Sequence, residues 1–341
     1  MMNMKKNLVP ALLAGALIAL SSVASFAATK IACIGDSITF GYLIPQREAN
    51  NYPKFLGELL GGEFEVRNFG NPGKTCGDYP GEKARRRWLG DQPEHKDAVE
   101  WQADAYICNL GINDTGRWWD EKLFVEGYET LVAAWVGGRR NVALMMWTKL
   151  APDFRGPEGK AAFPGNVFRP EFSFPKADNG TSQKRPTAEK LLAKVAKKFK
   201  ARPMDAYSPL AAHPELYLPD GLHPNAAGAR RIAEFTFAEL VRADFPKIRI
   251  PQGKPKCVPA KDGRSVALKN GGNVAILLDG AKLVGAGNAE FVFENATVVP
   301  PHGEIVVALG GEKDQKDPAR PLVSSKLTRA SGVKFVPANK N

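Results

Sequence analysis

Five short apolar runs, each followed by a stretch with helical spacing, constrain this chain more than any other feature. The runs are TKIACI (29–34), FEVRNF (64–69), DAYICNL (104–110), NVALMMW (141–147) and the weaker RPMDA (202–206). Strands that are apolar on both sides need cover on both sides. The intervening stretches supply it: Leu191, Val195 and Phe199 recur at i, i+4 and i+8, and Ala233, Phe237, Leu240 and Val241 at i, i+4, i+7 and i+8, one helix face each. The alternation predicts an α/β fold, a doubly wound parallel sheet, over residues 28–245. Ligands of such sheets bind beyond the carboxyl ends of the strands. Ser37 lies just past the first strand, Asn71 to Gly73 past the second and Gly111 to Asp114 past the third. Three loops remote in sequence therefore converge on one edge.

The chain has 341 residues, enough for one sizeable domain and a smaller one. Its texture changes after residue 245. PKIRIPQGKPKCVPAKDG (246–263) reads as a Pro/Lys-rich linker, and the segments VAILLDGAKLVG, EFVFENATVV and EIVVAL follow. Asp279-Gly280 between apolar runs is a hairpin signal. A small β-rich module over 264–341 is expected. Residues 246–341 carry 15 Lys and Arg against 8 Asp and Glu. That excess suits contact with a polyanion, acidic polysaccharide rather than nucleic acid, and reads equally well as a solvated basic face.

At the other end, Lys5 and Lys6 precede LVPALLAGALIAL, which gives way to SSVASFAATK. A basic start, a short apolar run and small residues at a cleavage point make a secretory signal peptide, cut between Ala27 and Ala28. The run falls short of the ~20 residues that span a bilayer, so the mature chain is expected to be soluble and secreted or periplasmic, without stable membrane insertion. In that oxidising setting Cys76 with Cys257 is the one pair considered for a disulfide. Cys33 and Cys108 lie in strand candidates, as small buried hydrophobes. No Cys/His spacing points to a metal.

Ser37 in ACIGDSITFG is, on its own decapeptide, either a nucleophile or a turn residue whose hydroxyl bonds nearby backbone. Its decisive companion is PDGLHPN (219–225), where His223 stands three residues after Asp220 and Asn225 is placed to cap the next helix. In a tight turn that spacing lets a carboxylate hold one ring nitrogen while the other faces outward, ready to take a serine proton. Acyl transfer also needs donors aimed at a developing oxyanion. RNFGNPGKT offers the backbone N–H of Gly73, and NLGINDT the side-chain amide of Asn113.

Together these four stretches resemble the blocks of the SGNH (GDSL) hydrolases, in the same order, over about two thirds of the chain: GDSIT with Ser37, the Gly73 segment, GxND with Asn113, and DxxH with Asp220 and His223. The resemblance implies a flavodoxin-like sheet. It also implies Ser37 as nucleophile, His223 as general base and Asp220 as its orienter, with an oxyanion hole from the Ser37 and Gly73 N–H groups and the Asn113 side chain. No GxSxG elbow is present, which removes support for an α/β-hydrolase.

Within that family the run from Cys33 to Thr75 looks most like secreted bacterial sialate and xylan O-acetylesterases, which implies carbohydrate esters, small or polymeric, as substrates. Trp118 and Trp119 suit stacking against sugar rings, and Arg117 suits a carboxylate on an acidic sugar. The segment from Trp147 to Pro186, rich in Pro, Gly and Phe, is long enough to be a substrate-covering loop. Its Phe163, Phe168, Phe172 and Phe174 leave a lysophospholipase- or thioesterase-like enzyme as an alternative. A non-catalytic carbohydrate-binding protein is the alternative of another class. No metal or organic cofactor is called for.

Overall fold

The computed structural model describes residues 27–115, 119–139, 141–153, 181–243 and 245–338. Residues 1–26 of the expected signal peptide, Arg117, Trp118 and the four phenylalanines of the long segment lie outside the described residues.

Five strands, β1 (Thr29–Gly35), β2 (Phe64–Gly70), β3 (Ala105–Asn109), β4 (Ala143–Lys149) and β5 (Arg202–Asp205), form one sheet in the order β2-β1-β3-β4-β5. Every pairing in it is parallel, the flavodoxin-like order of doubly wound folds. The helices are α1 (Ser37–Phe40), α2 (Arg47–Asn50), α3 (Tyr52–Leu60), α4 (Glu82–Arg85), α5 (Pro93–Trp101), α6 (Glu121–Val136), α7 (Thr181–Lys198) and α8 (Ala226–Arg242). Side chains of a strand alternate in direction, so Ile31 and Cys33 of β1 pack with α3 and α8, whereas Ala32 and Ile34 pack with α5, α6 and α7. α7 starts at Thr181 and contains Pro186, several residues before the apolar periodicity becomes legible.

Gly35 pairs with both Gly70 and Asn109, which aligns the ends of three strands. The two glycines admit α1. A Cβ at Gly35 would stand 2.1 Å from Thr39 Oγ1, and one at Gly70 would stand 2.3 Å from the Phe40 backbone nitrogen. Asp36 caps α1 by accepting from the Ile38 N–H, and Gly41, at φ 82°, ends it. The sheet edge therefore presents Ser37 at the first helical position.

After α8 come β6 (Lys256–Pro259), β7 (Ser265–Lys269), β8 (Ile276–Leu277), β9 (Lys282–Val284), β10 (Glu290–Val292), β11 (Val298–Val299), β12 (Glu304–Leu309), β13 (Leu322–Ser324) and β14 (Lys334–Val336). They make a four-stranded sheet β13-β12-β7-β6, a three-stranded sheet β10-β9-β14 and the pair β11-β8 around a core of their own. Three expectations need correction here. The segment read as linker contributes β6, which pairs with β7. Asp279-Gly280 is a turn but not a hairpin, because β8 pairs with β11 and β9 with β10 and β14. The Asp279 carboxylate instead accepts from the Ala296 and Thr297 N–H groups. Cys76 and Cys257 do not pair either. All four cysteines are free, Cys76 fully buried in the core packed with α5, α6 and α7 and Cys257 half-buried on β6.

The β region is not tethered loosely. Ile248, Ala275 and Val298 belong to the same apolar cluster as α3 and α8. Ala275 N–H donates to Leu59 O at 2.8 Å. Arg231 of α8, buried, donates to the carbonyls of Asn295 and Ala296.

Candidate active site

Ser37, His223 and Asp220, remote in sequence, meet at the carboxyl edge of the sheet. His223 Nε2 lies 2.9 Å from Ser37 Oγ and its Nδ1 2.6 Å from Asp220 Oδ2. Asp220 Oδ1 accepts from the N–H groups of Leu222 and His223, both at 2.9 Å. Gly221, at φ 69°, makes the turn that closes this ring. Burial alone would raise the Asp220 carboxyl, but the His223 hydrogen bond and charge and the two backbone donors hold it below the ordinary value. An ionised Asp220 can only accept, so Nδ1 carries the proton and Nε2 is left to accept from the serine hydroxyl. The ring of Tyr42 lies against His223, centroids 5.1 Å apart.

The loop with both Asp220 and His223 is held by its own ladder. Tyr217 bridges Pro224, the Leu218 N–H donates to His223 O at 2.8 Å, and Asn225 caps α8 through Gly228 N–H as expected.

The three expected oxyanion donors stand differently. The Ser37 N–H opens α1 and has no acceptor within the helix. Gly73 has φ 73°, and the nearest atom to a Cβ placed there is Arg87 Nη1, at 3.9 Å. Asn113 Nδ2 donates within the protein, to Lys74 O at 3.0 Å and to Asp36 Oδ2 at 3.3 Å. It is thus fixed beside the serine, with its weaker hydrogen bond made to the carboxylate that precedes Ser37. Trp119 is half-buried and rests on Phe124, ring centroids 5.1 Å apart, so much of its surface is engaged in packing.

Two carboxylates went unmarked in the sequence reading. Asp36 is fully buried, and burial pushes it up to about 7 despite the Ile38 N–H and the nearby His223, with Asp114 raising it further. Asp114 is likewise buried and pushed up to about 6, while the N–H groups of Gly77 and Cys76 and the Tyr79 hydroxyl oppose the shift. It thereby ties the loop after Gly73 to the end of β3. Both sit inside the quoted GDSIT and GIND stretches; what marks them, burial, is not a property of local sequence.

A sequence profile of the GDSL-like Lipase/Acylhydrolase family matches residues 33–231. The chain is 28% identical over 222 residues to an acetylxylan esterase of Xylanibacter ruminicola, covering 62% of this chain and 43% of that relative. The chain thus spans less than half the length of the curated relative it matches. Among solved structures, the native M. smegmatis aryl esterase shows 20% identity and a TM-score of 0.44, covering 63% of this chain and 99% of its own. A carbohydrate acetylesterase from Sinorhizobium meliloti shows 18% identity and a TM-score of 0.44, with the same coverage of 63% and 99%.

Proposed function

The chain belongs to the GDSL-like lipase/acylhydrolase family, and from that premise we propose that it is a serine esterase that removes O-acetyl groups from carbohydrate. The observation that carries the reading is the unbroken relay from Asp220 through His223 to Ser37, 2.6 and 2.9 Å at its two joints. Ser37 Oγ attacks the ester carbonyl while His223 Nε2 takes its proton, and Asp220 stabilises the imidazolium that results. The oxyanion is met by the N–H groups of Ser37 and Gly73 and by Asn113, whose N–H turns from Asp36 as the negative charge forms. His223 then returns the proton to the departing sugar hydroxyl. Water, activated by the same imidazole, releases acetate from the acyl-enzyme. The acetylated-sugar assignment rests on the likeness to the acetylxylan esterase.

The test compares the parent with Ser37→Ala, His223→Ala and Asp220→Asn on p-nitrophenyl acetate, acetylated xylan and long-chain acyl esters. The two alanine variants should lose turnover by on the order of 10⁴-fold and Asp220→Asn by less, with acetylated xylan the better natural substrate. Equal turnover in the parent and Ser37→Ala would remove the mechanism, and preference for long acyl chains would remove the sugar. Export, read from the first 27 residues, is part of the same proposal. The mature protein recovered outside the cytoplasm should begin at Ala28 on N-terminal sequencing, and an intact Met1 would refute it.

A further inference from the structure

A second histidine has both ring nitrogens on carboxylates. His213 is 3% exposed; its Nδ1 lies 2.8 Å from Glu215 Oε1 and its Nε2 2.5 Å from Asp317 Oδ2. Both ring nitrogens are thus committed to acidic partners. Arg320 completes the cluster, 3.9 Å from Glu215 Oε1 and donating to Ala212 O at 3.5 Å. An imidazole and a guanidinium thus face two acidic side chains. Asp317 is itself fixed, since its Oδ1 accepts from the Ala319 N–H at 3.0 Å and its carbonyl from the Arg320 N–H at 3.0 Å.

The cluster joins two parts of the molecule. Asp317 and Arg320 come from the C-terminal β region, between β12 and β13. His213 and Glu215 stand at the base of the loop that carries Asp220 and His223. From there the connections run without a gap. Asn225 Nδ2 donates to Glu215 O at 2.8 Å and to Tyr217 O at 3.3 Å, and the Asn225 N–H donates to Leu216 O at 2.9 Å. Tyr217 and Pro224 form the bridge whose far end is His223. Leu216 and Tyr217 of this ladder pack into the apolar cluster of α3 and α8, and the register of His223 against Ser37 depends also on what holds the ladder at its base, where Asp317 reaches His213.

We propose that His213 is a positioning residue for His223, and that the C-terminal β region serves as a brace, locking the base of the catalytic loop through Asp317. The kinetic part of this proposal rests on the esterase reading above; the mechanical part does not. Misplacement by about 1 Å at a reacting group can cost on the order of 10²-fold in rate, which sets the scale of the effect.

The experiment compares the full-length parent with Asp317→Asn, Asp317→Ala and His213→Gln, by p-nitrophenyl acetate kinetics and by amide hydrogen exchange. Asp317→Asn keeps an acceptor for Nε2–H but not the charge, so a graded loss is expected. kcat should fall about 10-fold or more in Asp317→Ala and less in Asp317→Asn, with KM nearly unchanged. Amides of residues 216–225 should exchange faster while those of β1, β3 and β4 keep the parent's protection. Unchanged kcat and exchange in all three variants would overturn the brace. So would a loss of protection spread evenly over the sheet, which marks general destabilisation. If the parent itself is no more active than Ser37→Ala, the esterase reading falls, and exchange in residues 216–225 still decides whether the brace exists.

Discussion

Ser37 follows directly on Asp36, a buried carboxyl group outside the hydrogen-bonded chain of Asp220, His223 and Ser37. Asp36 accepts from Ile38 N–H and Asn113 Nδ2, and burial pushes it up to about 7, against about 3.9 for an unfolded Asp. Between those values the native protein holds a proton that the unfolded chain has released. Its contribution to stability is therefore complete below about pH 4 and is lost as pH rises through about 7. Asp114, pushed up to about 6, acts in the same direction. Replacing Asp36 by Asn removes one of the two titrations, so urea midpoints of Asp36→Asn should fall less than those of the parent between pH 4 and pH 8. Parallel pH profiles for the two proteins would show that Asp36 is ionised already at pH 4.

Elements are brought close here by residues that lack side chains. α1 lies so near the ends of β1 and β2 that a Cβ at Gly70 would meet backbone atoms of Thr39 and Phe40, the nearest at 2.3 Å. Backbone cannot rotate away as a side-chain tip can, so Gly70→Ala should push α1, and Ser37 with it, off the sheet edge. We expect a loss of about 1–3 kcal/mol, the usual range for overpacking, together with a fall in kcat. Gly62→Ala, where the space for a Cβ is open, is the matched control and should leave both near the parent values. Equal Tm and kcat in Gly70→Ala would mean that the helix has room to spare.

At the scale of the molecule, the β region and the α/β region share a core and a buried cation. The Arg231 guanidinium donates to Ala296 O at 3.3 Å and to Asn295 O, and pairs with Glu234 at 3.4 Å. Truncating it strands two carbonyls and a carboxylate, so Arg231→Met should cost about 2–4 kcal/mol. Cooperative unfolding is the corresponding expectation for the parent. All six tryptophans lie in the α/β part, so their fluorescence and the far-UV circular dichroism of the whole chain should give one coincident denaturation curve. Two separated transitions would show the β region to be an independent domain.

Much of the site was legible because its chemistry is written in short spacings. Asp220 and His223 are three residues apart, and a turn of that length can close only a few ways. The strand-helix alternation placed Ser37, Gly73 and Asn113 at one edge before any distance was known, because the two-residue and 3.6-residue periods are local properties of the chain. What the sequence could not carry were relations between residues with no local signature. Asp36 and Asp114 are ordinary acidic letters until burial shifts them. Asp279-Gly280 announces a turn but not which strands the turn will pair, since β8 and β9 find their partners far along the chain. The hold of Asp317 on His213 exists only once two separately legible regions have packed together. Local preference determined the elements and the order of the reactive groups along them. Long-range packing, which depends on shape and burial summed over the whole chain, decided what those groups donate to, which are charged, and what keeps them in place.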